Sequence, residues 1–320
     1  MQYMGSGSFY AQACTEEYAA RAACGAGAGK KSFPIPNSEK GSDWEVKKKW
    51  YKGFRALLMV AAVTGIVVTS RKSMDYRKGE QSYAQAVQEA GLSSWPQEPH
   101  KDLAERPLGQ EAVSEAIEAL ETDPYALVLA EVNLEALRET NGDVTGWIAI
   151  PKTDVSYPVV QTENNTYYLN HTWQKTGSSV GAIFLEQYSN PKLSDFNTLI
   201  YGHKMRNGSM FGSLSSYEDM NYWKEHPSVY IADDRGVYRY DIFAAYEVGV
   251  KEIVYRLDLE EQGLEQEFIR FSLEHSDIDT GIVPDESDRI VTLSTCTGRG
   301  HSTRWIVQAV LRGRILQDVE

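Results

Sequence analysis

One thiol stands at the end of a strand-like segment. Residues 290–295 alternate, with Ile290, Thr292 and Ser294 set against Val291, Leu293 and Thr295. Cys296 follows them and precedes Thr297-Gly298-Arg299-Gly300, a loop-like run. A thiol at the end of a strand can meet a substrate. At its ordinary pKa of about 8.5, however, only a few per cent is thiolate near neutral pH, so a nucleophilic cysteine needs a histidine or cation beside it. Of the six histidines, His203 is placed for that role. It follows residues 197–201 directly, in Tyr201-Gly202-His203-Lys204-Met205, and so also stands at a strand end before an irregular loop. His100 lies in a proline-rich stretch, His171 and His226 in turn-like contexts, His275 at a helix end, and His301 in the same flexible stretch as Cys296. Arg304 opens another strong segment, 304–311, eight positions after Cys296. A hairpin there would return its guanidinium to the thiol, where it could donate hydrogen bonds to a developing oxyanion. Each residue also has a plainer reading. A lone cysteine can be a small buried hydrophobe, and an arginine can simply cap a strand.

The elements that must hold these groups are short strands between turn signals: 146–150, 157–161, 182–185, 197–201, 228–232, 237–248, 290–295 and 305–311. One helix interrupts them at 264–275, with Leu264, Phe268 and Phe271 on one stripe. Residues 133–140 read as a helix with Asn133 as N-cap and Asn141-Gly142 as its stop. Many short strands with few helices predict a mainly β fold closed into a barrel.

The rest of the chain divides at an uncharged apolar run of 15 residues, Ala56 to Ser70. Residues 1–55 hold nine Lys/Arg against five Asp/Glu, a net of +4, and the remaining residues hold 23 against 40, a net of −17. The whole-chain charge of −13 excludes a basic nucleic-acid-binding face. The run is shorter than the roughly 20 residues of a typical spanning helix, but Phe54 and a snorkelling Arg55 extend it. More than fifty residues precede it, too many for a cleaved signal peptide. The expected organisation is a disordered cytoplasmic tail (1–52), a transmembrane signal-anchor (53–72), an extracellular stalk with short helices (73–125, including one at 110–120) and a catalytic domain (126–320). Lys47, Lys48, Lys49, Lys52 and Arg55 place the N-terminus inside and the C-terminal portion outside a single-pass membrane protein. The two remaining cysteines, Cys14 and Cys24, then lie on the reducing side. No metal-ligand spacing is present, and neither a metal nor another cofactor is expected.

Thr292-Leu293-Ser294-Thr295-Cys296 with Arg304 leading a strand resembles the TLxTC…R signature of sortases, and Asn197 to Met205 resembles their histidine strand. Gly208-Ser209-Met210-Phe211-Gly212, Gly146-Trp147-Ile148 and Tyr157-Pro158-Val159-Val160 look most like class B, as does the helix before the cysteine strand. The resemblance covers roughly residues 126–320. It implies an eight-stranded sortase-type barrel and a cysteine transpeptidase of a Gram-positive cell membrane. In that role Cys296 is the nucleophile, His203 the general acid/base and Arg304 the stabiliser of oxyanion or substrate. The implied substrates are surface proteins cleaved after threonine in a C-terminal sorting motif, with a cell-wall peptidoglycan precursor or a pilin lysine as amine acceptor. Tyr201, Asn165, Ser294 and Thr295 are weaker substrate-binding candidates, and amides after Cys296 are candidates for the oxyanion site. Some class B members carry an acid soon after the cysteine, and residues 297–300 hold none. Two alternatives stay open: a cysteine endopeptidase that only hydrolyses, and a non-catalytic surface binding module.

Overall fold

A computed structural model describes residues 41–92, 123–259, 263–296 and 302–316. Helix α1 (Gly41–Glu89) precedes two short helices, α2 (Pro124–Ala130) and α3 (Leu134–Thr140). Asp123 caps α2 through the amides of Tyr125 and Ala126. Asn133 caps α3 through the amide of Ala136 at 2.9 Å, as its residue type foretold. Eight strands follow: β1 (Val144–Ala149), β2 (Ser156–Val160), β3 (Ile183–Leu185), β4 (Asn197–Tyr201), β5 (Ser228–Asp233), β6 (Gly236–Gly249), β7 (Ile290–Cys296) and β8 (Thr303–Leu316). Helix α4 (Met220–Glu225) lies between β4 and β5, and α5 (Leu264–His275) between β6 and β7. All eight predicted strands are present, with ends shifted by a few residues. The largest extension is β8, which pairs along most of β6.

The strands close into a barrel in the order β1-β2-β3-β4-β7-β8-β6-β5. Two contacts in that order position the site. β4 runs parallel to β7, with Tyr201 beside Ser294, and β8 runs antiparallel to β7, with Cys296 opposite Arg304. The C-terminal ends of β4 and β7 and the N-terminal end of β8 therefore meet at one rim.

Side chains two apart on a strand share a face. Leu199, Tyr201, Thr292, Ser294, Cys296, Arg304, Ile306 and Gln308 thus lie on one side of these three strands. That side is the outside of the barrel. The Tyr246 hydroxyl on β6 donates to Gln308 Oε1 at 2.8 Å and lies 3.2 Å from Ser272 Oγ of the overlying helix α5. Helix α5 buries Phe268, Ile269 and Ser272 against this face, with Phe268 at the centre of the predicted stripe.

Helix α1 continues well past the apolar run. From Trp50 to Ser70 it covers about 30 Å at 1.5 Å per residue, the thickness of a hydrocarbon core. Among the described residues it is the one helix long and apolar enough to cross a membrane, and its most apolar window is wholly unburied. A stalk with short helices was expected from residue 73; helix α1 continues to Glu89, and its last turns pack on the barrel. Tyr83, Ala86 and Ala90 are buried there, and Tyr83 meets Tyr157 edge to face at 5.1 Å. The expected helix at 110–120 lies outside the described residues.

Candidate active site

Cys296 is the last residue of β7 and is half-buried. Arg304, opposite it on β8, is 1% exposed and donates through Nη1 to the carbonyl of Thr303 at 2.8 Å. Directly opposed residues in an antiparallel pair have Cβ atoms about 5 Å apart, so the β7–β8 register starts the Arg304 and Cys296 side chains from neighbouring points on one face.

His203 arrives from the other side. The Gly202 amide donates to the Ser294 carbonyl at 3.1 Å, carrying the β4–β7 ladder one residue beyond the strand. His203 follows, two residues after Tyr201 and on the same outer face. Its Nε2 lies 2.6 Å from the Leu169 carbonyl. A carbonyl oxygen can only accept, so Nε2 carries a proton and Nδ1 is the nitrogen left to exchange one. The backbone of Gly181 supports the ring. A Cβ at Gly181 would fall 2.6 Å from His203 Cδ2 and 2.8 Å from the Tyr168 carbonyl, and Gly181 has φ +65°, so both space and backbone call for glycine.

Tyr255 completes the site from the β6–β7 connection, and no sequence signal singled it out. Its hydroxyl lies 2.9 Å from Ser294 Oγ. Burial pushes its phenol far above the ordinary range. The Ser294 hydrogen bond and the Arg304 charge work against that shift, and Cys296 adds to it. Tyr255 therefore sits within electrostatic reach of both Cys296 and Arg304 and stays a neutral phenol.

The weaker candidates separate. Ser294 shares the outer face with Cys296, but it is fully buried and engaged with Tyr255. Thr295 pairs with Trp305 on the opposite, lumen-facing side, so its hydroxyl is directed away from the thiol, and no hydrogen-bond partner for it is found among the described residues. Tyr201 is 1% exposed and packs on Phe184 at 5.3 Å, as part of the wall under His203. The described contacts of Asn165 are with Glu186 and Gln187. It donates to Glu186 Oε1 at 2.7 Å and accepts from the Gln187 amide at 2.8 Å, holding a buried carboxylate in place. Glu186, also unforeseen, accepts from the Tyr188 amide through Oε2 and from the Ser189 amide through its main-chain carbonyl, and burial raises its pKa despite the hydrogen bonds around it. The amides after Cys296, and His301, lie outside the described residues, as does His100. The other three histidines have local roles. His171 stacks on Tyr167, His226 is within 2.9 Å of the Pro151 carbonyl, and His275 stacks on Phe271.

A cysteine, a histidine and an arginine are brought to one rim of a closed barrel, an arrangement that supplies the groups thiol-dependent acyl transfer requires. The Sortase domain family matches residues 148–312, half of the chain, and the chain belongs to the sortase family. Sortase B of Listeria monocytogenes is 32% identical over 163 residues, which is 51% of this chain and 66% of the relative, so the match spans just under two thirds of that relative's length. A Staphylococcus aureus sortase B–substrate complex superposes with a TM-score of 0.53 at 27% identity, over 63% of this chain and 92% of the solved one. A sortase B complexed with triglycine gives 0.54 at 28%, over 63% and 94%. The chain is thus most like the class B sortases.

Proposed function

We propose that this protein is a membrane-anchored cysteine transpeptidase that cleaves a C-terminal sorting motif after threonine and joins the freed acyl group to an amine. The observation that carries this reading is the pairing of Cys296 with Arg304 at a rim that His203 reaches from the adjacent parallel strand. The Cys296 thiolate attacks the threonine carbonyl carbon, and the oxygen takes up negative charge beside the Arg304 guanidinium. The C–N bond breaks and protonated His203 gives its Nδ1 proton to the leaving amine, leaving a thioester on Cys296. An incoming amine then attacks the thioester and His203 accepts its proton. Thiolate departs, and the new amide carries the transferred protein. Two similar sortases B are recorded with a substrate and with triglycine, which supports a motif peptide and an amine as the reactant classes. A peptidoglycan precursor and a pilin lysine both meet the second requirement.

Helix α1 anchors the enzyme through residues 53–72, with Lys47–Lys49, Lys52 and Arg55 on the cytoplasmic side and the barrel outside. Trp50, Tyr51 and Phe54 lie at the inner boundary, where aromatic side chains favour the headgroup region.

The test is mass spectrometry on detergent-solubilised full-length protein incubated with a library of sorting-motif peptides, with and without triglycine. A ligated product whose formation is lost in Cys296→Ala supports transfer. Free acid alone, even with triglycine present, assigns a hydrolase. Absence of any Cys296 acyl adduct across the library overturns both and leaves a binding module.

A further inference from the structure

The buried end of helix α1 grips the segment that carries the support of His203. Asp75, Gly79, Ser82 and Tyr83 occupy one face of the helix, at spacings of four, three and one. Asp75 accepts from the Ser179 amide at 3.0 Å and from its hydroxyl at 2.6 Å. Gly79 lets the helix approach Val180, where any Cβ would fall 2.6 Å from Cγ2. The Ser82 carbonyl accepts from Trp173 Nε1 at 2.9 Å, and the Ser82 hydroxyl donates to Gln174. Tyr83 donates its hydroxyl to the Gly181 carbonyl.

Gly181 is the residue whose backbone lies against the imidazole, and the next amide, Ala182, is tied to the Tyr168 carbonyl at 2.9 Å. Leu169, whose carbonyl holds His203 Nε2, is adjacent to Tyr168. These contacts together fix residues 173–181 to the helix, and that segment borders the histidine. Burial keeps the Tyr83 phenol neutral, so it acts as a donor at every working pH. Burial opposes ionisation of Asp75, but the Ser179 and Ser178 groups and Lys78 outweigh it and hold its carboxyl below the usual carboxylate range.

We propose that Tyr83 is a positioning residue for His203, acting through the Gly181 carbonyl, so that the helix leading out of the anchor is a structural part of the catalytic site. The inference rests on the acid/base role given to His203 above. It differs from a general stabilising role because the hydroxyl meets the residue under the ring, whereas the aromatic body of Tyr83 packs on Tyr157. Tyr83→Phe keeps that packing and removes only the hydroxyl.

The experiment measures kcat and KM for full-length Tyr83→Phe in detergent with a cleavable motif peptide and triglycine, beside wild type and His203→Ala. Thermal melting and the NMR ring signals of His203 are recorded on the same samples. The expected result is a fall in kcat on the order of tenfold, KM within about twofold, and shifted His203 ring signals in a protein that still melts cooperatively. Gly79→Leu, which forces the helix off Val180, should lower kcat in the same way. Wild-type kcat and unmoved ring signals in Tyr83→Phe would overturn the inference, as would equal losses in kcat and thermal stability with unmoved ring signals. Full activity in His203→Ala would instead overturn the role of His203 on which it rests, so the two failures are told apart.

Discussion

Cys296 and Arg304 stand directly opposite each other across the β7–β8 ladder, the last residue of one strand against the second residue of the next. Their backbone separation is set by a register that extends from Ile290 opposite Val310 to this pair, so neither residue can slide along its strand without breaking a run of strand contacts. A buried guanidinium in such a frame presents a planar fork of donors at a fixed place.

Arg304→Lys keeps the charge and loses the fork. It is expected to lower kcat/KM by at least about tenfold, and Arg304→Ala by roughly 10²–10³-fold, the range seen when a preorganised donor to a developing oxyanion is removed. Steady-state kinetics on a motif peptide decide this. A lysine variant with wild-type kcat/KM would remove Arg304 from its role.

Gly181→Ala pushes a methyl group into His203 and the Tyr168 carbonyl at a backbone angle that favours glycine. The conformational cost alone is about 1–2 kcal/mol. The variant is expected to melt lower than wild type and to lose kcat disproportionately, because the displaced group is the imidazole. Calorimetry and turnover measured together test this, and unchanged turnover would show that the ring does not depend on this contact.

Tyr255→Phe leaves Ser294 Oγ without the phenol hydroxyl 2.9 Å away in a fully buried position. A stability loss of about 1–2 kcal/mol is expected in chemical denaturation, since a buried polar atom is left unpaired. Turnover should fall as well, because Tyr255 sits in the electrostatic field shared by Cys296 and Arg304. An unchanged denaturation midpoint would count against the bond.

Glu186 has its folded-state pKa raised by burial, with the Asn165, Tyr188 and Ser189 bonds opposing that rise. A carboxyl with a raised folded pKa contributes most below its unfolded value, and that contribution is lost as pH climbs through the folded value. The stability of wild type relative to Glu186→Gln should therefore decline from about pH 4 towards pH 7. Denaturation midpoints of both proteins across that range measure it, and a difference that grows with pH would contradict the assignment.

Strands and the helix at 264–275 were legible because alternation and the 3.6-residue stripe are written in side chains. Cys296, His203 and Arg304 could be singled out because each ends or begins such a segment. The supports of His203 were not legible. One is a main-chain carbonyl at Leu169, which has no residue-type signature. Another is a glycine at 181, whose need for glycine arises from a ring far along the chain. Tyr255 was hidden for a similar reason, since only the folded β6–β7 connection brings its hydroxyl to Ser294. Thr295 was misplaced by proximity in sequence. One step along a strand turns a side chain to the other face, so the residue before Cys296 is directed into the barrel and away from the thiol. The polar character of residues 73–89 suggested a stalk, but those residues have a helical face that finds its partner only on the barrel surface.

The parallel contact of β4 with β7 joins strands that β5 and β6 separate in the chain, with Asn197 paired to Ile290. It is a long-range closure and carries a large entropic cost until the rest of the barrel is in place. The proposed nucleophile and its base lie on the two sides of that seam. A chain in which that seam has not closed, or has opened, carries Cys296 apart from the histidine proposed to exchange its proton. The chemistry proposed for Cys296 and His203 is thereby tied to closure of the barrel, since a chain short of that point holds the thiol apart from the imidazole.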